Sequence, residues 1–257
     1  MDVDYGKTAA DYGRHRRGFP DELFRRLRPF EVGLAGQTIV DLGAGTGFLG
    51  RGFATAGCPV TCVDISEAMM AESARLDSIC GVQMTYHRAP AETTGLPDHA
   101  FDVASAGQCW HWFDRPAAAL EVRRLVRPGG AVVLAHYDWL PLPGNVVVTT
   151  EGLIQSHNPS WTHHGGTGFY PEWPQDLIRA GFLSIETFSF DTIESYSHVD
   201  WRGRVRACGA ISGSLTSDRV RAADEELART LAERHPEDPL PVPHRVFAVV
   251  ARAPTGC

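Results

Sequence analysis

The sequence predicts an α/β fold on a mostly parallel sheet, and three observations predict it. An apolar run with one acid, Ile39-Val40-Asp41-Leu42, leads straight into a loop with glycine at 43, 45 and 47, and a helix-like segment follows to Ala56. After that unit, apolar runs of strand length alternate with segments of helical periodicity as far as Tyr137. Such alternation implies parallel strands joined by right-handed crossovers. The third observation is the punctuation: a capping Ser66 and the stop Arg127-Pro128-Gly129-Gly130 fall where helices should start and end.

Taken in order, residues 4–20 form a polar, basic arm with aromatic punctuation, either a solvated segment or a cover over the ligand of the glycine loop. Pro20 opens a helix whose first turn holds Asp21 and Glu22, and Leu23, Phe24, Leu27 and Phe30 give it a buried face. Residues 37–42 read as the first strand, 47–56 as a helix, 59–64 as the second strand, and Ser66 to Ile79 as a capped helix. Strands follow at 82–88, 101–106 and 131–137, with a helix over 115–126. Beyond Tyr137 the pattern loosens. It predicts a short helix near 145–156, helices at 173–180, 198–211 and 217–234, and strands at 183–191 and 244–251. The chain reads as one domain over 1–257. The arm and first helix occupy 1–36, the ligand-binding core 37–137, and acceptor-side insertions 138–182 and 192–243.

Composition narrows the function. The 257 residues are 43% hydrophobic, enough for a full core, and the net charge of −7 disfavours a nucleic-acid partner. No apolar run approaches the ~18 residues of a membrane span. Residues 1–6 carry two Asp and no apolar stretch, so no secretory signal is expected there. The six cysteines include no C-x-x-C pair, which favours reduced thiols and a cytoplasmic setting. His136, His157, His163 and His164 are irregularly spaced and unaccompanied by Cys or acid, so no metal is expected.

The glycine turn admits two ligand classes. Gly45, Gly47 and Gly50 fit the G-x-G-x-x-G frame of dinucleotide sites. Asp41, just before the turn, would repel a pyrophosphate and suits a cationic amine, held directly or through water, while organising the loop. Asp64 ends the second strand, where a carboxylate accepts hydrogen bonds from ribose hydroxyls, a feature both classes share. Ala91-Glu92, Leu96-Pro97-Asp98, Phe101-Asp102 and Arg127-Pro128-Gly129-Gly130 complete an ordered set.

That set, with Val40-Asp41-Leu42-Gly43-Ala44-Gly45-Thr46-Gly47, Val63-Asp64-Ile65-Ser66 and His111-Trp112-Phe113-Asp114, resembles the class I S-adenosylmethionine-dependent methyltransferases. The similarity is greatest to the small-molecule branch that includes trans-aconitate methyltransferase-like proteins, and it spans roughly residues 5–137. The resemblance implies a Rossmann-like, mostly parallel seven-stranded sheet with an antiparallel final strand, helices on both faces and lid-forming insertions. It implies S-adenosyl-L-methionine as cofactor. Gly43, Ala44, Gly45 and Gly47 would meet its methionine end, Asp64 the ribose, Ile65 and Met69 the adenine faces, and Ala91 and Glu92 the adenine edge. Backbone near Gly107 and Gln108 would face the methionine amine, and Arg16 or Arg17, with Tyr12, its carboxylate. Pro90 stands where many members carry Asp.

Methyl transfer to a small-molecule acceptor through O, N or C, with a slight preference for O, releases S-adenosylhomocysteine. It asks the protein for alignment, water exclusion and, for some acceptors, a base. Trp110, Trp112 and Trp139 are candidate acceptor walls, and His111 is the first candidate base. His136 and Tyr137 alternate on a strand, so one of them faces the site. Arg202 and Arg206, four apart on a helix, could clamp an anionic acceptor or pair with nearby acids. Other readings of the same residues are a cofactor-binding fold that catalyses a non-methylating step such as cyclisation, a non-enzymatic cofactor-binding protein, and a dehydrogenase. A monomer or homodimer with no nucleic-acid or membrane partner is expected.

Overall fold

The structure is a computed structural model that describes Gly6 and residues 9–255. Asp4, Tyr5 and Lys7 of the expected arm, and Cys257, lie outside the described residues. In chain order the elements are α1 (Ala9–His15), α2 (Asp21–Leu27), β1 (Ile39–Leu42), α3 (Phe48–Thr55), β2 (Val60–Asp64), α4 (Glu67–Cys80), β3 (Thr85–Arg88) and β4 (Phe101–Gly107). Then come α5 (Arg115–Leu125), β5 (Val126–Trp139), α6 (Val146–His157), α7 (Trp173–Arg179), β6 (Leu183–Tyr196), α8 (His198–Arg206), α9 (Ser217–Arg234) and β7 (Leu240–Arg252). The sheet has seven strands in the order β3-β2-β1-β4-β5-β7-β6, with the final strand antiparallel.

The chain divides into two compact units. One gathers residues up to Arg17, Asp138–Phe169 and Asp191–Arg245; the other gathers Gly18–Tyr137, Tyr170–Phe190 and the residues from Val246 on. The insertions expected at 138–182 and 192–243 belong to the first unit, save 170–182.

In the second unit β1 is buried along its whole length, as a central strand covered on both faces must be. It pairs in parallel with β2 and β4, which sets Asp41 beside Cys62 on one side and Ser105 on the other. Strand alternation sorts the core into two layers. Val132 and Leu134 of β5 join α5 and α7 residues such as Val122 and Leu177, whereas Ala131, Val133, Ala135 and Tyr137 join Leu23, Leu27, Leu49 and Phe53. Ser66 caps α4 by accepting from the Met69 N–H, and Gly81 at φ +68° ends it. Asp114 caps α5 in the same way through Ala117.

In the first unit Trp139, Val147, Ile154, Trp201, Leu227, Leu231 and Val242 form the core. The stripe expected on the long helix at 217–234 supplies Leu227 and Leu231, with Val220 half-buried at its margin. Helix α1 meets α8 where Gly203 leaves room for the His15 ring; a Cβ at 203 would lie 2.2 Å from it.

Several boundaries differ from the sequence reading. Strands β6 and β7 extend past 191 and before 244, so the connection between them is shorter than about fifty residues. The helix expected over 198–211 stops at Arg206. Arg127-Pro128-Gly129-Gly130 does end a helix, but the chain is already at the start of β5 there, with a register shift opposite Phe101 and Val103.

Candidate functional site

The glycine loop is fixed from three directions. The Ala44 N–H donates to the Val63 carbonyl (3.0 Å), and the Gly47 N–H donates to the Ala44 carbonyl (2.8 Å). Gly43, at φ +60°, lies so close to the next elements that a Cβ would stand 2.7 Å from the Phe113 ring and 2.9 Å from Cys109 Sγ. Gly47, at φ +78°, has a similar constraint against Ser73 Oγ, 2.2 Å from where its Cβ would be. Below the loop, Arg51 donates to the Thr46 carbonyl (2.8 Å) and forms a buried ion pair with Asp77 (2.9 Å). Nothing in the sequence pattern separates this buried arginine from the many solvated ones.

Asp64 ends β2 facing the loop. Its Oδ2 accepts from the Gly45 N–H (2.7 Å) and its Oδ1 from the Ser66 N–H (2.8 Å). An ionised carboxylate has about four acceptor positions, so lone pairs remain for further donors. Burial pushes its pKa up, against the pull of the backbone N–H groups of Ser66, Gly45 and Ile65. Ile65 beside it is 67% exposed, while Met69 is buried in the first turn of α4.

Asp41 is 1% exposed. Its Oδ2 accepts from the Gly50 N–H (3.0 Å) and its Oδ1 from the Ser105 hydroxyl (2.7 Å). Burial pushes its pKa up to about 7. Asp41 therefore organises the loop from inside, through the first turn of α3, and is too enclosed to hold an amine directly. Ser105, which the sequence reading passed over, is legible as the one hydroxyl within an otherwise apolar inner stretch of β4.

Elsewhere on the second unit, Ala91 is buried and Glu92 Oε1 accepts from the Asp114 N–H (2.9 Å). A Cβ on Gly107 would stand 3.0 Å from Leu49 and Phe19. Gln108 takes up a left-handed φ of +66°; its backbone N–H donates to the Ala135 carbonyl and its side-chain amide to the Tyr137 carbonyl, each at 2.9 Å. A non-glycine residue held this way is strained, and such strain concentrates at functional turns.

The three candidate proton-handling residues separate. His111 lies in the 3-10 turn Trp110–Trp112 after β4, with its ring centroid 5.3 Å from that of His136. His136 packs against Tyr170 (4.6 Å) and Trp173 (5.8 Å). Tyr137 points to the opposite face of β5 and meets Phe19 (6.2 Å) in the other core layer. Tyr170 and Trp173, which complete the aromatic surround of His136, were not singled out in the sequence because that segment carries no motif.

Of the candidate aromatic walls, only Trp112 is open, at 42% exposed. Trp110 is fully buried and donates its indole N–H to Asp176 (3.1 Å). Trp139, in the first unit, donates to Glu151 (2.9 Å) and packs on Trp201. Both are core residues rather than walls. Arg202 and Arg206 form a closed network instead of a clamp. Arg202 pairs with Asp224, and Arg206 pairs with Asp224 (2.9 Å) and Asp11 (3.0 Å). Tyr12 and Arg16 hold each other: Arg16 Nη1 donates to the Tyr12 hydroxyl (2.6 Å) and its guanidinium lies 4.4 Å over the ring. His157 pairs with Glu226 (2.8 Å), and no group of three or more metal-ligating side chains occurs among the described residues. Cys109 is buried, donates to the Leu42 carbonyl and has its thiol pKa pushed up by burial, which makes it a poor nucleophile.

With this geometry in hand, comparison with known proteins gives a consistent result. Residues 40–134 match the family model described as a methyltransferase domain. An uncharacterized methyltransferase of Mycobacterium tuberculosis is 34% identical over 184 residues, 64% of this chain and 72% of that protein. The ubiquinone biosynthesis O-methyltransferase of Pseudomonas paraeruginosa is 37% identical over 136 residues, 51% of this chain and 58% of its own. Among solved structures, a protein from Anaeromyxobacter dehalogenans described as a candidate type II methyltransferase superposes with a TM-score of 0.65 at 25% identity. That superposition covers 94% of this chain and 99% of the other.

Proposed function

The chain belongs to the class I S-adenosylmethionine-dependent methyltransferases, and from that premise we propose that it methylates a small-molecule acceptor, preferentially at oxygen. The observation that carries the reading is Asp64. Two backbone N–H groups hold its carboxylate at the end of β2, lone pairs remain for a diol, and the exposed Ile65 beside it offers an apolar surface for a base. These residues fit S-adenosyl-L-methionine. Asp64 would take the ribose hydroxyls, Ile65 and Met69 the adenine, and the loop of Gly43, Ala44, Gly45 and Gly47 the methionine end. Ala91, Glu92, Gly107 and Gln108 would line the remainder.

When bound, this cofactor would supply a methyl group already activated on a sulfonium, with S-adenosylhomocysteine as the leaving thioether. The residues then have three tasks. The glycine loop, braced by Arg51 and Asp41, holds the donor still. The half-buried His111 receives the proton of an acceptor hydroxyl, with His136 packed beside its ring. Trp112 presents the open aromatic face. The preference for oxygen draws on the ubiquinone biosynthesis O-methyltransferase among the relatives.

Calorimetry with S-adenosylhomocysteine tests the site. The wild type binds, and Asp64→Ala binds at least about tenfold more weakly, since each hydrogen bond to a charged group contributes about 1.5–3 kcal/mol. Equal affinity in the two proteins removes the ribose assignment. Binding of NAD(P) in place of S-adenosylhomocysteine would favour a dehydrogenase.

A further inference from the structure

The first unit contains a guanidinium that no described residue neutralises. Arg204 lies on α8 between Arg202 and Arg206, but two residues along a helix is about 200° of rotation, so it points away from the Asp224 network. It is 7% exposed, its Nη1 has no hydrogen-bond partner, and no ion pair among the described residues includes it. The guanidinium lies 4.4 Å from the Trp139 ring centroid. The largest electrostatic influences on it come from Arg16, Tyr196, Cys208 and Tyr12, none of them a carboxylate. Burial and the Arg16 charge both push its pKa down.

Tyr196, the last residue of β6, is the second unsatisfied donor. It is fully buried and its hydroxyl has no hydrogen-bond partner among the described residues. Its ring carries the Arg17 guanidinium at 4.9 Å, and the charges of Arg204, Arg17 and Arg16 all act on its hydroxyl, opposed by Glu194. Asp138 is the other carboxylate nearby, and it acts on His244 rather than pairing with Arg204.

An unpaired buried guanidinium is costly to keep. Stacking on Trp139 covers one face of the group but satisfies none of its in-plane N–H donors. Those donors have the fork geometry that matches two oxygens of a carboxylate. We propose that Arg204 and Tyr196 form a carboxylate-binding site within the first unit. One guanidinium edge and one hydroxyl match the two oxygens of a carboxylate better than the three of a phosphate. The site lies in the segments that the sequence assigned to the acceptor, and it uses the arginine between the two that the sequence singled out.

The test uses the full-length protein with benzoate, its neutral analogue benzamide, inorganic phosphate and S-adenosylhomocysteine as probes. Tryptophan fluorescence reports occupancy, because Trp139 lies under Arg204, and thermal melting gives a second readout. The wild type should bind benzoate at least tenfold more tightly than benzamide or phosphate. Arg204→Met should lose benzoate binding at least tenfold, melt higher than wild type in anion-free buffer, and bind S-adenosylhomocysteine within threefold of wild type. Tyr196→Phe should weaken benzoate severalfold. Should Arg204→Met not fold, Arg204→Lys keeps the charge, removes the fork and should lose the preference for benzoate over phosphate. Equal binding of benzoate and benzamide, wild-type benzoate affinity in Arg204→Met, or tighter binding of phosphate each overturns the carboxylate site.

Discussion

Ser105 donates its hydroxyl to Asp41 Oδ1 at 2.7 Å from the facing register position of the neighbouring parallel strand. With the Gly50 N–H on its other oxygen, Asp41 joins β1, β4 and the first turn of α3 at the base of the glycine loop. Burial raises its pKa from 3.8 to about 7, with the nearby charge of Asp64 adding to the rise. Between those values the folded chain retains a proton that the unfolded chain has released, so this group's contribution to stability falls as pH rises from about 4 to 7. Asp41→Asn keeps both contacts, with its amide oxygen toward Gly50 and its NH2 toward Ser105, and cannot ionise. Urea denaturation across pH 4–8 should show Asp41→Asn gaining on wild type up to about pH 7 and level above it. A constant difference between the two proteins would show that Asp41 titrates normally.

The buried pair of Arg51 and Asp77 supports the same loop. Arg51 also donates to the Ser73 carbonyl (3.1 Å), and the Tyr86 hydroxyl donates to Asp77 Oδ2 (2.5 Å). Removing one partner leaves the other buried and uncompensated, at a cost of about 3–5 kcal/mol. Arg51→Met should therefore lower the denaturation midpoint strongly, while the double variant Arg51→Met/Asp77→Leu should recover part of the loss. A loss below about 1 kcal/mol in the single variant would mean that water reaches the pair.

The contrast between these residues shows what was legible in the sequence. The strand–glycine–helix unit, the alternation of strands with helices and the Ser66 cap follow from local rules, because turn chemistry and periodicity act within a few residues. Arg51 and Arg204 escape such rules. Each is a polar residue whose partners, or lack of them, come from other elements, and only the folded chain separates it from solvated residues of the same type. The tryptophans show the same limit. Trp110 and Trp112 are two apart in one short turn, yet one is in the core on Asp176 and the other is open. The Arg202/Arg206 spacing places both on one face of α8, and the acids that meet them come from other helices, Asp224 from α9 and Asp11 from α1.

His244 titrates in the opposite sense to Asp41. Its Nδ1–H donates to the Val242 carbonyl (3.0 Å), and its ring stacks near Tyr196. Burial lowers its pKa from 6.5 to about 4, with Arg204 and Arg16 adding to the fall and Asp138 opposing it. Below pH 6.5 the unfolded chain takes up a proton that the folded chain refuses. The stability this group contributes is thus complete above about pH 6.5 and is lost as pH falls toward 4. His244→Asn keeps a donor for the Val242 carbonyl and should flatten that acid limb in thermal melts. An unchanged limb would assign the acid loss to other groups.

The face on which a β5 residue lies decides its role in the final prediction. His136 and His111 share one side, with ring centroids 5.3 Å apart, while Tyr137 lies in the opposite core layer against Phe19. A general base typically contributes about a hundred- to ten-thousand-fold in rate. With the acceptor that gives turnover, His111→Ala should lower kcat by at least about a hundredfold and leave S-adenosylhomocysteine affinity unchanged. Tyr137→Phe removes only a hydroxyl on the far side of the strand, and it should keep kcat within about twofold of wild type. The pH profile separates a base from a packing residue: wild-type kcat should rise with pH as His111 loses its proton, and the residual rate of His111→Ala should lack that limb. A large loss in Tyr137→Phe with little in His111→Ala would reverse the assignment and place the acceptor on the other face of β5.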